Sequence, residues 1–170
     1  MKNKFLAITL LSVLCVASPS HLAFAVDKQT VGWVEMVSIF PGNLKIKAKL
    51  DTGAKNSSIN VKKISYFQRN NDTWVKFDFR NFKDRKETIE AKVVRTAQIK
   101  RLGQEAASRP VIRLGICIGR TYKEAEVNLS DRSGFNYQML IGRSFLAGSF
   151  LIDPEISFVS QPDCKGETEQ

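Results

Sequence analysis

Apolar and polar residues alternate along most of this chain. In Leu44-Lys45-Ile46-Lys47-Ala48-Lys49-Leu50 every second residue is apolar, which places Leu44, Ile46, Ala48 and Leu50 on one face of a half-buried strand. Val75, Phe77 and Phe79 are set against Trp74, Lys76, Asp78 and Arg80 in the same way. Short segments rich in Val, Ile, Phe and Trp predict strands over Val31–Ile39, Leu44–Leu50, Trp74–Arg80, Thr88–Ile99, Pro110–Ile118, Thr121–Leu129 and Phe150–Ile152. Polar or glycine-bearing turns separate them. After the first 25 residues no segment of ten or more carries a helical period, and only Arg143–Ala147 predicts a short helix. Several short strands at regular spacing predict an all-β domain, a compact barrel or sandwich.

The first 25 residues follow a different pattern. Lys2 and Lys4 precede an apolar run, Phe5–Ala17, and a polar stretch ends in Ala23-Phe24-Ala25. This layout predicts a cleavable secretory signal over 1–25, with the mature chain starting at Val26 in the periplasm or outside the cell. The run falls short of the ~20 residues a membrane-spanning helix needs. Leu14 is too large for the small residue expected before a lipid-bearing Cys15, so no stable membrane anchor is expected. About 145 residues then remain, enough for one domain with its own core over 26–160, followed by a polar tail over 161–170.

Charge and rare residues narrow the chemistry. The whole chain carries +9, and losing Lys2 and Lys4 leaves 24 basic against 17 acidic residues, or +7. Basic clusters at Lys45–Lys49, Lys62-Lys63, Lys83–Lys86 and Lys100-Arg101 can attract acidic peptides or anionic cell-wall polymer, or simply form a solvated face. No recognition-helix pattern or aromatic RNA motif accompanies them, so no nucleic-acid partner is expected. His21 is the only histidine and lies in the expected signal, so the mature chain offers no histidine-ligated zinc site, Ser-His-Asp triad or Cys-His pair. There is also no glycine-rich Lys-Ser/Thr phosphate loop. Among hydrolytic mechanisms carboxylate chemistry survives, and neither metal nor cofactor is expected. Cys117 and Cys164 are the cysteines left. In an oxidising compartment they can form a disulfide; alternatively Cys117 is a small buried hydrophobe and Cys164 a free thiol.

The strand Leu44–Leu50 runs directly into Asp51-Thr52-Gly53-Ala54. An apolar strand ending in Asp-Thr-Gly is how an aspartic protease presents its catalytic carboxylate, although the triplet alone also describes a polar turn. Downstream, Tyr137-Gln138-Met139-Leu140-Ile141-Gly142-Arg143 places an apolar run before a glycine and then the short helix. The retropepsins, the retroviral aspartic proteases, combine the same two elements in this order.

Taken together, Leu50–Lys55, Arg109-Pro110-Val111-Ile112, Leu129-Ser130-Asp131-Arg132 and Met139–Arg143 resemble the bacterial retropepsin-like aspartic endopeptidases over about Val31–Phe158. That group has also been labelled a putative ATP-dependent zinc protease, a label for which the mature residues supply neither ligand nor phosphate loop. One departure is Asn56-Ser57-Ser58, where relatives commonly carry Thr-Ser-Ala. The resemblance implies a closed retropepsin-like β-barrel with at most one short helix and a catalytic Asp51. It also implies a loop role for Thr52, Gly53 and Ala54, and support from Ile141, Gly142 and Arg143 packed behind them.

Aspartic proteolysis needs two carboxylates sharing a proton. With one Asp-Thr-Gly, the second must come from a second copy, giving a two-fold homodimer with paired Asp51 residues. Asp131 is the in-chain rival, and as an Asp-Arg turn it is equally a cap or ion pair. A covering flap can be sought in the tip Asn81–Glu87 or the loop Lys100–Ser108. The expected activity is hydrolysis of peptide bonds, with acidic peptides a suggested substrate. The alternatives are a non-catalytic module that binds acidic peptides or cell-wall polymer, and a carboxylate-bound metal hydrolase.

Overall fold

The computed structural model describes residues 27–81, 83–101 and 104–164, without the side chains of 100–106. The expected signal and residues 165–170 of the tail lie outside the described residues.

Eleven strands and one helical turn make up the described chain: β1 Gln29–Gly32, β2 Val34–Phe40, β3 Leu44–Asp51, β4 Ser57–Asn60, β5 Ser65–Arg69, β6 Asp72–Arg80, β7 Lys86–Arg101, β8 Gln104–Ile118, β9 Thr121–Ser130, β10 Met139–Gly142, α1 Arg143–Leu146 and β11 Phe150–Asp153. The order β2-β3-β10-β4-β9-β8 closes on itself because Ser38–Phe40 of β2 also pair with Gly115–Cys117 of β8. The result is the all-β closed barrel that the resemblance implied. From β8 the sheet continues outward through β7, β6 and β5.

Alternation becomes burial. Leu44, Ile46, Ala48 and Leu50 of β3 are buried while Lys45 and Lys47 are exposed, and on β6 Val75, Phe77 and Phe79 point inward. With Ile112, Leu114 and Ile116 of β8 and Val127 and Leu129 of β9, they fill one core. Burying such side chains contributes about 1.5–3 kcal/mol each, which is what drives the barrel to close.

Several expected boundaries differ. The expected strand Val31–Ile39 divides at Trp33, because its two halves serve different sheets: β1 pairs in parallel with β11, and β2 pairs with β3 and β8. β4 and β5 were not expected, since SSIN and SYFQR carry no apolar period. Ser57 and Ser58 are nonetheless buried. The expected loop Lys100–Ser108 is mostly strand, as β7 and β8 stay paired out to Arg101 and Gln104. A hairpin arm that stands away from the core has two wet faces, so it needs no alternation.

Beyond β11 the chain straps across β1 and β2. Trp33 donates its amide to the Ile156 carbonyl, and Phe158 donates to Val34. The buried Glu35 carboxylate accepts from the amides of Gly32 (2.7 Å), Val159 (3.3 Å) and Ser160 (3.0 Å) and from the Ser160 hydroxyl (3.1 Å). A buried charge is tolerated when its lone pairs are filled in this way. Asp163 donates to the Gly119 carbonyl, and Cys164 is joined to Cys117 by a disulfide. The first residues of the polar tail are therefore held against the β8–β9 turn.

Candidate active site

Asp51 is the last residue of β3. Leu50 before it faces the core, so Asp51 turns toward the surface with a quarter of its side chain exposed. The chain then folds back on its own carboxylate: Oδ1 accepts from the amides of Gly53 (2.9 Å) and Ala54 (3.2 Å). Lys49 Nζ lies 3.7 Å from Oδ2. Two backbone donors and an ammonium favour the ionised form of the carboxylate. A Cβ on Gly53 would come within 3.1 Å of Oδ1, so glycine gives this turn its room. Thr52 and Gly53 are exposed, and Ala54 is half-buried.

β10 holds the loop from behind. It runs parallel to β3, with Ile141 opposite Leu50 and Gly142 opposite Asp51. On its other side it pairs with β4. A Cβ on Gly142 would sit 2.7 Å from the Asn56 carbonyl carbon and oxygen, so this crossing has no space for any side chain. The Gly142 amide donates to Ser57 Oγ at 3.1 Å. The Arg143 guanidinium then donates to the carbonyls of Thr52 (2.7 Å) and Gly53 (2.9 Å), and its amide to Ala54. Ser144 binds the Lys55 carbonyl through both its amide and its hydroxyl. Every carbonyl from Thr52 to Lys55 thus has a donor from Arg143 or Ser144. The structure brings Asp51–Ala54 and Ile141–Arg143 into one unit.

Asp131 is occupied elsewhere. Its Oδ1 accepts from the amide (2.9 Å) and the hydroxyl of Ser133. These bonds, with Lys62 nearby, hold its carboxyl below the usual range. Among the described residues no hydrogen bond or ion pair joins it to Asp51, so it behaves as a turn cap. The tip Asn81–Glu87 is also tied down: Asn81 Oδ1 accepts from the amides of Lys83 and Arg85, and Arg85 reaches the Gly42 carbonyl. The β7–β8 hairpin is the projecting arm.

Three contributors escape the sequence pattern: Ser57, Ser144 and Arg132. Arg132 follows β9, donates its amide to Asn60 Oδ1 (2.7 Å) and its guanidinium to Ser58 Oγ (3.0 Å). Burial and the neighbouring Arg109 push its guanidinium below its ordinary value, while the Asp51 carboxylate acts the other way. The signal available was its place in the Leu129–Arg132 motif.

A zinc site does not fit. The only histidine is His21, and among the described residues no three His, Cys, Asp or Glu side chains cluster as a metal site would require.

A groove of about 750 Å³ begins at Asn60 and is lined by Lys62, Lys63, Lys76, Arg80 and Lys86 together with Asp78. Asn60 also binds Arg132, so this basic groove lies next to the residues around Asp51.

Comparisons with known proteins agree with this geometry. The chain is 36% identical over 125 residues to a probable alpha-L-glutamate ligase of Shewanella pealeana, covering 72% of this chain and 26% of that protein. It is 32% identical over 136 residues to a protein of the same description from Desulfotalea psychrophila, covering 77% and 29%. The chain therefore spans about a quarter of the length of the curated relatives it matches. A crystal structure of Lpg0085 from Legionella pneumophila, a protein of unknown function, superposes with a TM-score of 0.69 at 27% identity, covering 79% of this chain and all of that one. Residues 30–163 match the family model described as retropepsin-like aspartic endopeptidase RimB, and the chain belongs to this RimB-like family.

Proposed function

We propose that the protein is an exported aspartic endopeptidase in which Asp51 of two copies forms the catalytic dyad. The observation that carries this reading is the Asp51 loop, held by Gly142, Arg143 and Ser144 with its carboxylate at the surface and without an in-chain carboxylate partner among the described residues. Two such carboxylates brought together cannot both stay ionised, so one proton is shared. The ionised Asp51 takes a proton from water as its oxygen attacks the scissile carbonyl carbon. The protonated one donates to the carbonyl oxygen, giving a gem-diol. Collapse of the diol passes a proton to the leaving amine and breaks the C–N bond.

Trp33, Leu151, Phe158 and Val159 are exposed apolar residues on β1, β11 and the strap. The carbonyl of Trp33 accepts from Leu50, the neighbour of Asp51. This apolar surface beside the loop suits a second copy, and exposed Thr52 is placed to brace the two loops against each other. The β7–β8 hairpin serves as the flap. Acidic peptides suit the basic groove at Asn60–Lys86, and the likeness to proteins named as glutamate ligases favours glutamate-containing chains. The second reading, a non-catalytic module for acidic peptides, is favoured by Lys49, which neutralises an isolated Asp51.

Peptidase activity on glutamate-rich peptides, followed by mass spectrometry, tests the proposal. Wild-type protein should cleave with a bell-shaped pH profile and lose specific activity on dilution below its dimer dissociation constant. Asp51→Asn should reduce the rate about 10²- to 10⁴-fold. Full activity in Asp51→Asn refutes the dyad.

A further inference from the structure

Arg132 has more donors than its surroundings use. Of the five N–H groups of a guanidinium, one bonds Ser58 Oγ, and Nε is buried with no partner among the described residues. The group lies 4.5 Å from the centroid of the Phe135 ring, which supports its plane, and the Asn60 bond to its amide fixes where the side chain starts. Its position relative to Asp51 follows from the sheet. Ser57 and Ser58 are consecutive on β4; Ser57 holds the Gly142 amide, and Gly142 is the register partner of Asp51, while Ser58 holds Arg132. Arg109, from the β8 side of the hairpin arm, is near enough to repel Arg132, and Asp51 near enough to attract it.

Two guanidinium groups side by side, one of them half-buried, raise each other's cost unless an anion joins them. Asp51 supplies charge to this neighbourhood, but its Oδ1 is taken by two amides and its Oδ2 faces Lys49. A planar guanidinium with spare parallel donors matches a carboxylate in a two-point contact, which a lysine does not.

We infer that Arg132, with Arg109 opposite it, forms a carboxylate-binding subsite immediately beside Asp51, so that a carboxylate of the bound chain is held next to the bond presented for cleavage. The inference rests on the peptidase reading for the meaning of Asp51, but not for the binding itself. Arg132 is a specificity-determining residue, and the basic groove beyond Asn60 carries the rest of an acidic chain.

Binding measured without turnover separates the two claims. Full-length Asp51→Asn protein is titrated calorimetrically with four probes: pentaglutamate, pentaglutamate amide, pentaglutamine and pentaglutamine amide. The parent should bind pentaglutamate more tightly than pentaglutamine amide. Adding Arg132→Gln should weaken pentaglutamate by about tenfold or more and leave pentaglutamine amide unchanged. Arg132→Lys should recover part of the loss.

An equal loss for pentaglutamate amide assigns the subsite to side-chain carboxylates. A loss confined to the two free acids assigns it to the chain terminus. Both outcomes support the subsite. If Arg132→Gln melts far below its parent, Arg109→Gln is titrated instead and should show the same selective loss. A parent that does not discriminate among the probes overturns the inference, as do arginine variants that bind all four like the parent. Selective binding with no cleavage by the wild type would remove the peptidase reading and leave the subsite standing.

Discussion

At the scale of single residues, Asp51, Gly142 and Arg143 were legible because each belongs to a short run whose chemistry is local. The turn that returns two amides to Asp51 is built within four residues. Ser57, Arg132 and Glu35 were not legible, because their work is done on residues far along the chain: Ser57 on Gly142, Arg132 on Ser58 and Glu35 on Ser160. A serine in a polar run and a glutamate in a strand look like surface residues until their partners arrive. Gly142 yields the clearest single-residue prediction. In Gly142→Ala the new Cβ meets Asn56 backbone at 2.7 Å, and backbone cannot rotate aside as a side chain can. The substitution should cost about 1–3 kcal/mol in stability by denaturant unfolding. By displacing the Asp51 loop it should also lower peptidase activity about a hundredfold. A Gly142→Ala protein with wild-type stability would show that β10 does not press on Asn56 as described.

At the scale of elements, alternation located β3 and β6 because each has one buried and one wet face. It failed for β4, buried through serines, and for the outer reaches of β7 and β8. It was also silent on direction: the parallel pairings of β3 with β10 and β4 with β9 depend on crossovers, not on side-chain period. The outer sheet of β5, β6 and β7 is laced by exposed charges, and these predict a pH dependence. Lys86 and Thr88 hold the Asp78 carboxyl low, and Lys76 and Arg69 do the same for Glu90. A carboxyl whose folded value is depressed stabilises the fold above its unfolded value, near 4 for these groups, and that contribution is lost as pH falls through the folded value. The melting-temperature gap between wild type and the Asp78→Asn/Glu90→Gln double variant should therefore be small but present at pH 6. It should shrink in 1 M salt and close below pH 3. A gap that is constant across this range would mean that packing, rather than charge, separates the two proteins.

At the scale of the whole molecule, the barrel is closed by β2 meeting β8, and the ends are secured by β1 with β11 and by the strap. The Cys117–Cys164 bond spans a separation of 47 residues. Cross-linking a loop of that length lowers the entropy of the unfolded chain, so Cys164→Ser should reduce unfolding free energy by about 2–4 kcal/mol. Reductant should shift the wild-type denaturation midpoint toward that of the variant and leave the variant unchanged. A wild-type midpoint insensitive to complete reduction would show that Glu35 and the strap backbone suffice. By itself the sequence determined the all-β class, the inward faces of its regular strands and the Asp51 and Gly142 motifs, because these are properties of neighbours along the chain. The tertiary structure alone decided that β10 runs beside β3, that Arg143 closes the Asp51 loop, that Asp131 caps its own turn, and that Arg132 stands near Asp51. Each of these depends on which distant segments share a sheet, and that choice is made by the core as a whole when the barrel closes.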